Sequence, residues 1–330
     1  MFIAALLCSC NSFPQANLHR YEAEQPQMGI PFRIVLYAPS DAVAEAAVNA
    51  AFARIKALNQ IFSDYENSSE LTALNRTAGQ GKVVPVSKEL WEVLCLSQEM
   101  AERSNGAFDV TVGPYVTLWR RARRIHQLPA PDKLAAAREV VGYKNLRLYP
   151  KQRAVEITKA GARIDLGGIA KGYAVDEALK VLSSHGIRSA MVAGSGDLAV
   201  SGPPPGKQGW RIEIAPHEAG DASTGCFVSL KNQALATSGD VFQHVEIENR
   251  RYSHIVDPRT GLGLTDFGLV TVIAKNCATA DSLATAISVL GPVEGLKLAD
   301  YQKAVARIAR KPADKLEIIM SKGFQRFIVP

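Results

Sequence analysis

An α+β fold is predicted for this chain on three observations. Short strand-like runs and amphipathic helices mix along it without the regular βα alternation of a doubly wound parallel sheet. Its 330 residues, 47% hydrophobic and 21% charged, supply the core of one large or two smaller domains. No periodic repeat or low-complexity tract breaks that pattern. The formal net charge of +6 is modest for this length and does not argue for nucleic acid, so no nucleic-acid partner is expected.

The N-terminus reads separately from the rest. Met1 to Leu7 is apolar and Leu7-Cys8-Ser9-Cys10 follows, the pattern at the end of a bacterial lipoprotein signal with Cys10 as the lipidated residue. The apolar run is short and no basic residues precede it. Residues 1–10 are therefore read as a signal remnant, 11–27 as a polar tether, and 28–330 as the folded body. That body is expected on the periplasmic side of a bacterial membrane, on a lipid anchor. No other stretch approaches the roughly 20 apolar residues of a membrane span. Cys95, Cys226 and Cys277 are scattered in apolar contexts without metal-ligand spacing. They read as buried free thiols, with one disulfide left open.

Phe32 to Tyr37 reads as a strand. Asp41 is placed to cap a long helix whose core stripe is Val48, Phe52, Ile55, Leu58 and Phe62. A polar loop, Ser63 to Leu71, leads into a short helix, and Ser87 caps the next, Lys88 to about Arg103. Gly106 to Pro114 is turn-rich and holds an isolated Phe108 and Asp109. Arg120, Arg121, Arg123 and Arg124 beside Trp119 read as a solvated helix face, ahead of a docking patch for an acidic protein or lipid. Pro129 to Pro131 marks a surface loop. Strands are expected at 146–148, 155–157 and 163–164.

The centre of the chain is Asp165-Leu166-Gly167-Gly168-Ile169-Ala170-Lys171-Gly172. An apolar run ends at Ile164, a carboxylate and two glycines follow, and Val175, Leu179 and Leu182 then fall at helical spacing. This reads as strand, glycine turn and helix N-terminus. Such a junction offers unpaired N–H groups and a positive dipole end to an anion. It matches neither the dinucleotide glycine motif nor the phosphate loop. Alone it is equally a tight turn between packed elements.

Beyond the helix at 173–185, strands are expected at 189–192, 198–201, 210–214 and 227–230, with a Pro203–Gly206 turn among them. Ala236 to Asp240 reads as a tight turn. Tyr252 to Val256 reads as a strand closed by Asp257-Pro258-Arg259-Thr260-Gly261, Leu269 to Ala274 as another, and Ala278 to Leu290 as a helix. In that helix Asp281 and Thr285 are four residues apart and share a face. A carboxylate and a hydroxyl suit a hard cation such as Mg²⁺, with a diphosphate supplying further oxygens. Spacing alone favours helix capping for Asp281. His254, before the Asp257-Pro258 turn, is placed for a general base. Without context a structural role is the stronger reading.

Taken together, Gly106–Pro114, Asp165–Asp176, Ala236–Asp240, Ser253–Gly261 and Ala280–Gly291, in this order, resemble the ApbE-like flavin transferases. The resemblance runs from about Met28 to about Gly291. It implies a T-fold-like body of mixed sheets and helices in two intimately packed subdomains. It implies FAD as substrate and Mg²⁺ as cofactor. The implied reaction transfers FMN from FAD to a Ser or Thr of an acceptor protein, through a phosphodiester, with release of AMP. The implied acceptors are flavoprotein subunits of Na⁺-pumping quinone reductase or Rnf-type complexes. By position, Met28, Tyr65, Ala107, Phe108, Asp109, Asp165 and Lys171 match cofactor-contacting residues. The Gly168 carbonyl, Asp281 and Thr285 match the metal ligands, and His254 matches a histidine acting in transfer. Two departures stand out. The usual Met-Gly-Thr reads Met28-Gly29-Ile30, and the usual Gly-Gly-Asp reads Ser195-Gly196-Asp197. An FAD pyrophosphatase and a silent FAD-binding lipoprotein are the competing readings.

Overall fold

A computed structural model describes residues 18–214, 225–239, 244–265, 268–311 and 315–330. Its frame is one eight-stranded antiparallel sheet in the order β1-β2-β6-β7-β10-β13-β14-β15. These strands are β1 (His19–Gln27), β2 (Ile30–Ala38), β6 (Ala190–Gly194), β7 (Asp197–Val200), β10 (Gln233–Gly239), β13 (Gly268–Ala274), β14 (Val305–Arg310) and β15 (Glu317–Met320). Strand periodicity decides which side chains face which layer. Ile34 and Leu36 of β2, with Val272 and Ala274 of β13, enter the larger core, whereas Val35 and Ile273 point to the opposite face.

The larger core is roofed by three helices, α1 (Asp41–Phe62), α6 (Ala170–Ser184) and α7 (Cys277–Tyr301). Ser40, one residue before the expected Asp41, caps α1 through its hydroxyl. The chain of α7 breaks at Gly291, whose φ of 75° lies outside the helix, so its first half ends close to the expected Leu290. The opposite face of the sheet is closed by a small sheet in the order β16-β9-β8, formed by β8 (Trp210–Ile214), β9 (Cys226–Leu230) and β16 (Ile328–Val329), with Phe324 and Phe327 packed beneath. Between α1 and α6 run α2 (Glu70–Asn75), α3 (Lys88–Arg103), α4 (Gly113–Ile125) and α5 (Pro131–Arg138). Beside them lies a sheet of β3 (Val84–Pro85), β5 (Ala154–Ile157) and β4 (Leu146–Tyr149). The hairpin β11 (His244–Ile247) and β12 (Arg250–Ser253) packs on α4 through Val245, Ile247 and Tyr252 against Tyr115 and Trp119.

The mixed α+β architecture is the expected one, with several local corrections. The described part of the expected tether is not one: His19–Gln27 is the edge strand β1. Its charged outward residues hide the alternation, while Tyr21 and Ala23 lean on the core. Residues 236–239 are not a turn but the end of β10, whose small residues permit the close approach of its neighbours. Asp240 lies outside the described residues, as do Cys8 and Cys10. The expected strand at 163–164 is reduced to a single bridge between Val112 and Arg163. The Pro129–Pro131 loop ends in α5, with Pro131 at a helix start where its missing N–H is harmless. The expected strand through Val256 stops at Ser253, leaving His254 beyond it. Cys95, Cys226 and Cys277 are free thiols, but only Cys277 is buried. No described helix is long and apolar enough to cross a membrane.

Candidate active site

Strand tips and helix ends converge at one end of the large sheet. Met28 and Gly29 form the two-residue turn from β1 to β2, with φ of 51° and 76°, the left-handed pair that such hairpins require. Ser195 and Gly196 join β6 to β7. Because Phe32 pairs with Gly194, the two tips lie side by side. Thr237 N–H donates to the Gly196 carbonyl at 2.9 Å, which brings the end of β10 to the same place.

The glycine turn 165–168 lies next to these tips and opens α6, as the sequence predicts. Ile169 and Ala170 N–H both donate to the Leu166 carbonyl, closing the turn. A Cβ placed on Gly168 would stand 3.2 Å from both the Phe108 ring and Thr285 Oγ1. Gly168, Phe108 and Thr285 are therefore brought together, and a side chain at 168 would fill the gap between them. Thr285 Oγ1 is also 3.5 Å from Ser238 Oγ on β10.

The first turns of α6 and α7 are interlocked. Asp176 on α6 accepts from Cys277 and Ala278 N–H at 2.8 and 2.9 Å, and Asn276 accepts from Thr279 N–H at 2.9 Å. These residues cap α7, so Asp281 is not its cap, contrary to the reading that spacing favoured. Asp281 instead reaches back to α6, where its Oδ2 accepts Gly172 N–H at 3.2 Å. A Cβ on Gly172 would lie 2.4 Å from the Cys277 carbonyl oxygen, so only glycine permits this crossing. Burial raises the Asp176 carboxyl to a pKa of about 6, against the pull of its two N–H donors.

Two charged clusters flank the glycine turn. In the outer one, Arg120 donates to Asp64 Oδ2 at 2.5 Å and to Asp165 Oδ2 at 2.9 Å. Arg163 donates to the Asp64 carbonyl at 2.7 Å and lies 3.6 Å from its carboxylate. Asp165 Oδ1 accepts Gly167 N–H at 2.8 Å, which fixes the glycine turn itself. Burial, then the Asp64 charge, pushes the Asp165 carboxyl upward. The Arg120 guanidinium also lies 4.2 Å over the ring of Tyr65, which is 76% exposed. Arg120 is thus no part of a solvated face, whereas Arg121 and Arg124 are exposed.

In the inner cluster Lys171 Nζ stands 3.3 Å from Asp197 Oδ2, 3.6 Å from Asp281 Oδ2, and donates to the Gly167 carbonyl at 3.0 Å. Burial, and then the Asp281 charge, lifts the Asp197 carboxyl to about 7, and burial raises Asp281 as well. Burial also works against the Lys171 ammonium. Asp281 and Asp197 outweigh it and hold Lys171 more firmly protonated than an ordinary lysine.

The other expected residues fall around this centre with different tasks. Ala107 and Phe108 are buried. Asp109 Oδ1 accepts both the N–H and the hydroxyl of Thr111 at 2.7 Å, so this carboxylate oxygen shapes its own loop. His254 is half-buried in a narrow hairpin, held by Ser253 N–H to Leu264 O at 2.7 Å and Leu264 N–H to Ile255 O at 2.9 Å. Ile255 packs on Ala107 and on Val289, one turn beyond Thr285 on α7. Trp119 Nε1 donates to the Gly261 carbonyl at 2.8 Å, and Arg259 reaches the Val289 carbonyl at 3.3 Å, pinning the hairpin tip to α4 and α7.

Sequence reading gives Asp64 and Asp176 no site role, takes Arg120 for part of a solvated face, and names Asp197 only as part of a turn. Asp197 carries one usable signal, a carboxylate directly after Ser-Gly at the head of an apolar run. Among the described residues, no group of three or more His, Cys, Asp or Glu is arranged to hold a metal. The oxygen-bearing groups at this place are the buried Asp281 carboxylate and the Thr285 hydroxyl, one turn apart on α7, with Gly168 beside Thr285. That set fits a hard cation which takes its remaining oxygens from a substrate.

This α+β body is similar in fold to solved flavin transferases. Flavin transferase ApbE from Vibrio cholerae matches with a TM-score of 0.85 and 29% identity, over 94% of this chain and 99% of that one. The ApbE protein from Thermotoga maritima matches with a TM-score of 0.81 and 30% identity, over 94% and 100%. In sequence, an FAD:protein FMN transferase of Vibrio cholerae is 30% identical over 98% of this chain and 96% of its own length. One of Treponema pallidum is 30% identical over 97% and 90%. The profile of the ApbE family matches residues 28–308, and the chain belongs to that family.

Proposed function

We propose that this protein is a Mg²⁺-dependent FAD:protein FMN transferase. The observation that carries the reading is Asp281 and Thr285 on one face of α7, opposed to Gly168 of the glycine turn and Lys171 in the first turn of α6. Similarity to FAD:protein FMN transferases along nearly the whole chain supports it. Asp281, Thr285 and the Gly168 carbonyl would hold Mg²⁺. When bound, the ion supplies Lewis-acid neutralisation of the diphosphate and a template for it.

The protein's own groups account for the rest. Lys171 places a cation beside the site. Tyr65, with one face under Arg120, offers an aromatic surface to a ring of FAD. Met28, Ala107 and Phe108 would contact FAD, while Asp109 shapes the loop that follows Phe108 and Asp165 fixes the glycine turn. His254 accepts the proton of the acceptor's Ser or Thr hydroxyl as that oxygen attacks the FMN phosphorus. The new bond is the O–P bond of a phosphodiester. The diphosphate P–O bond breaks and AMP leaves with the electron pair. Alignment and charge neutralisation are the main demands of phosphoryl transfer. The acceptor class is a redox flavoprotein subunit of the Na⁺-pumping quinone reductase or Rnf type. The enzyme meets it on the periplasmic side of the membrane, anchored by lipid at Cys10.

The test is to incubate the protein with FAD, Mg²⁺ and an acceptor domain. AMP together with a fluorescent acceptor band is the expected result. AMP and free FMN with an unlabelled acceptor would establish a pyrophosphatase instead, and FAD bound without any AMP a silent binder.

A further inference from the structure

Lys171 lies between two carboxylates that come from different elements, Asp197 at the head of β7 and Asp281 on α7. Both are buried, each 3% exposed. The cluster sets one ammonium against two carboxyl groups. Asp281 Oδ2 has a second donor in Gly172 N–H. Asp197 Oδ2 has none: although it lies 3.3 Å from the ammonium, it makes no directed hydrogen bond among the described residues. The ammonium donates to the Gly167 carbonyl and is shared as an ion-pair partner between the two carboxylates, with bonding capacity left over on the Asp197 side.

This arrangement conflicts with a divalent cation on Asp281. Lys171 Nζ stands 3.6 Å from the same oxygen, so ammonium and cation would share one buried carboxylate and repel each other. The lysine cannot leave for solvent without stranding Asp197 as an uncompensated buried charge. It can shift onto Asp197, whose Oδ2 is already within reach and unsatisfied. We infer that Lys171 is a displaceable internal counter-ion of the cation site, and that Asp197 is the positioning residue that receives it when a divalent cation occupies Asp281. The inference rests on the cation site proposed above. Asp197 touches neither cation nor FAD in this scheme; it acts through Lys171.

The experiment titrates Mn²⁺, without FAD, into the intact protein and its variants, reading free Mn²⁺ by electron paramagnetic resonance. Asp197→Asn should leave the ammonium on Asp281 and weaken Mn²⁺ binding by about tenfold, a typical effect of an outer-sphere partner. Lys171→Met should tighten binding. The double variant Asp197→Asn/Lys171→Met should bind at least as tightly as the wild type, because no ammonium remains to be displaced. A double variant as weak as Asp197→Asn alone would overturn the inference, since Asp197 would then act directly on the ion. Unchanged affinity in Asp197→Asn would overturn it too. Should Asp197→Asn fail to fold, Lys171→Met decides alone: tighter binding supports the inference and weaker binding contradicts it. Asp281→Ala separates the two levels. If the wild type binds Mn²⁺ no better than Asp281→Ala, the cation site itself fails and this inference with it. If Asp281→Ala loses the ion while the Asp197 and Lys171 variants match the wild type, only the inference fails.

Discussion

The outer and inner charged clusters both set basic side chains against a pair of aspartates and serve opposite ends. Around Asp165, two arginines face two aspartates, and Arg120 reaches both carboxylates through directed hydrogen bonds. Charges balance and the geometry is closed. Around Lys171, one lysine faces two aspartates at 3.3 and 3.6 Å, and a buried carboxylate oxygen is left without a directed bond. Arginine's planar fork suits a permanent lock, whereas the compact ammonium of lysine on a flexible stem suits a charge that moves. The difference teaches that charge balance, more than residue type, separates scaffold from site. The outer cluster holds the glycine turn in place, and the inner one borders the proposed cation site.

The sharpest way to break this division is to remove one member from each cluster. Asp281→Ala should lower Mg²⁺-dependent AMP release by on the order of 100-fold or more while leaving the fold in place. Full activity in that variant would remove Asp281 from the cation site. Arg120→Ala should act through stability, lowering it by about 2 kcal/mol in chemical denaturation, because it strands Asp165 and Asp64 without their shared partner. A variant as stable as the wild type would show that the outer cluster is no lock.

A third prediction tests the helix interlock that carries Asp281. The folded Asp176 carboxyl sits at about 6, above the usual 3.8. A raised carboxyl favours the folded state most below the unfolded value and loses that contribution as pH rises through the folded one. The stability of the wild type relative to Asp176→Asn should therefore fall between pH 4 and 6.5. A constant difference between their denaturation midpoints across that window would contradict the burial of Asp176.

Legibility in the sequence followed the range of the interactions. The helices at 41–62 and 88–103 and the glycine turn were readable because capping residues and helical spacing are local signals. The Asp281/Thr285 pair was readable for the same reason. β1 was not, because an edge strand with His19, Arg20, Glu22 and Glu24 on it reads as tether until β2 is laid beside it. Arg120 was misread as solvated, since its partners lie 45 and 56 positions away in the chain. Asp197 was passed over because its meaning depends on Lys171 and Asp281, and only the fold brings those together.

Ser195 offers the smallest effect. It stands at φ 60° in the turn between β6 and β7, at a position where such hairpins favour glycine. Ser195→Gly should stabilise the protein by about 1 kcal/mol through relief of that left-handed conformation. A lower midpoint in thermal unfolding would show that the serine side chain makes up for its strain.

The division between the clusters is tested most directly by Mn²⁺ binding to three proteins: the wild type, Asp281→Ala and Asp165→Asn. Both substituted residues are buried carboxylates paired with a cationic side chain. The account predicts that the wild type binds the ion, that Asp281→Ala loses it, and that Asp165→Asn keeps it. Wild-type affinity in Asp281→Ala, or loss of binding in a folded Asp165→Asn, would contradict the assignment of scaffold and site.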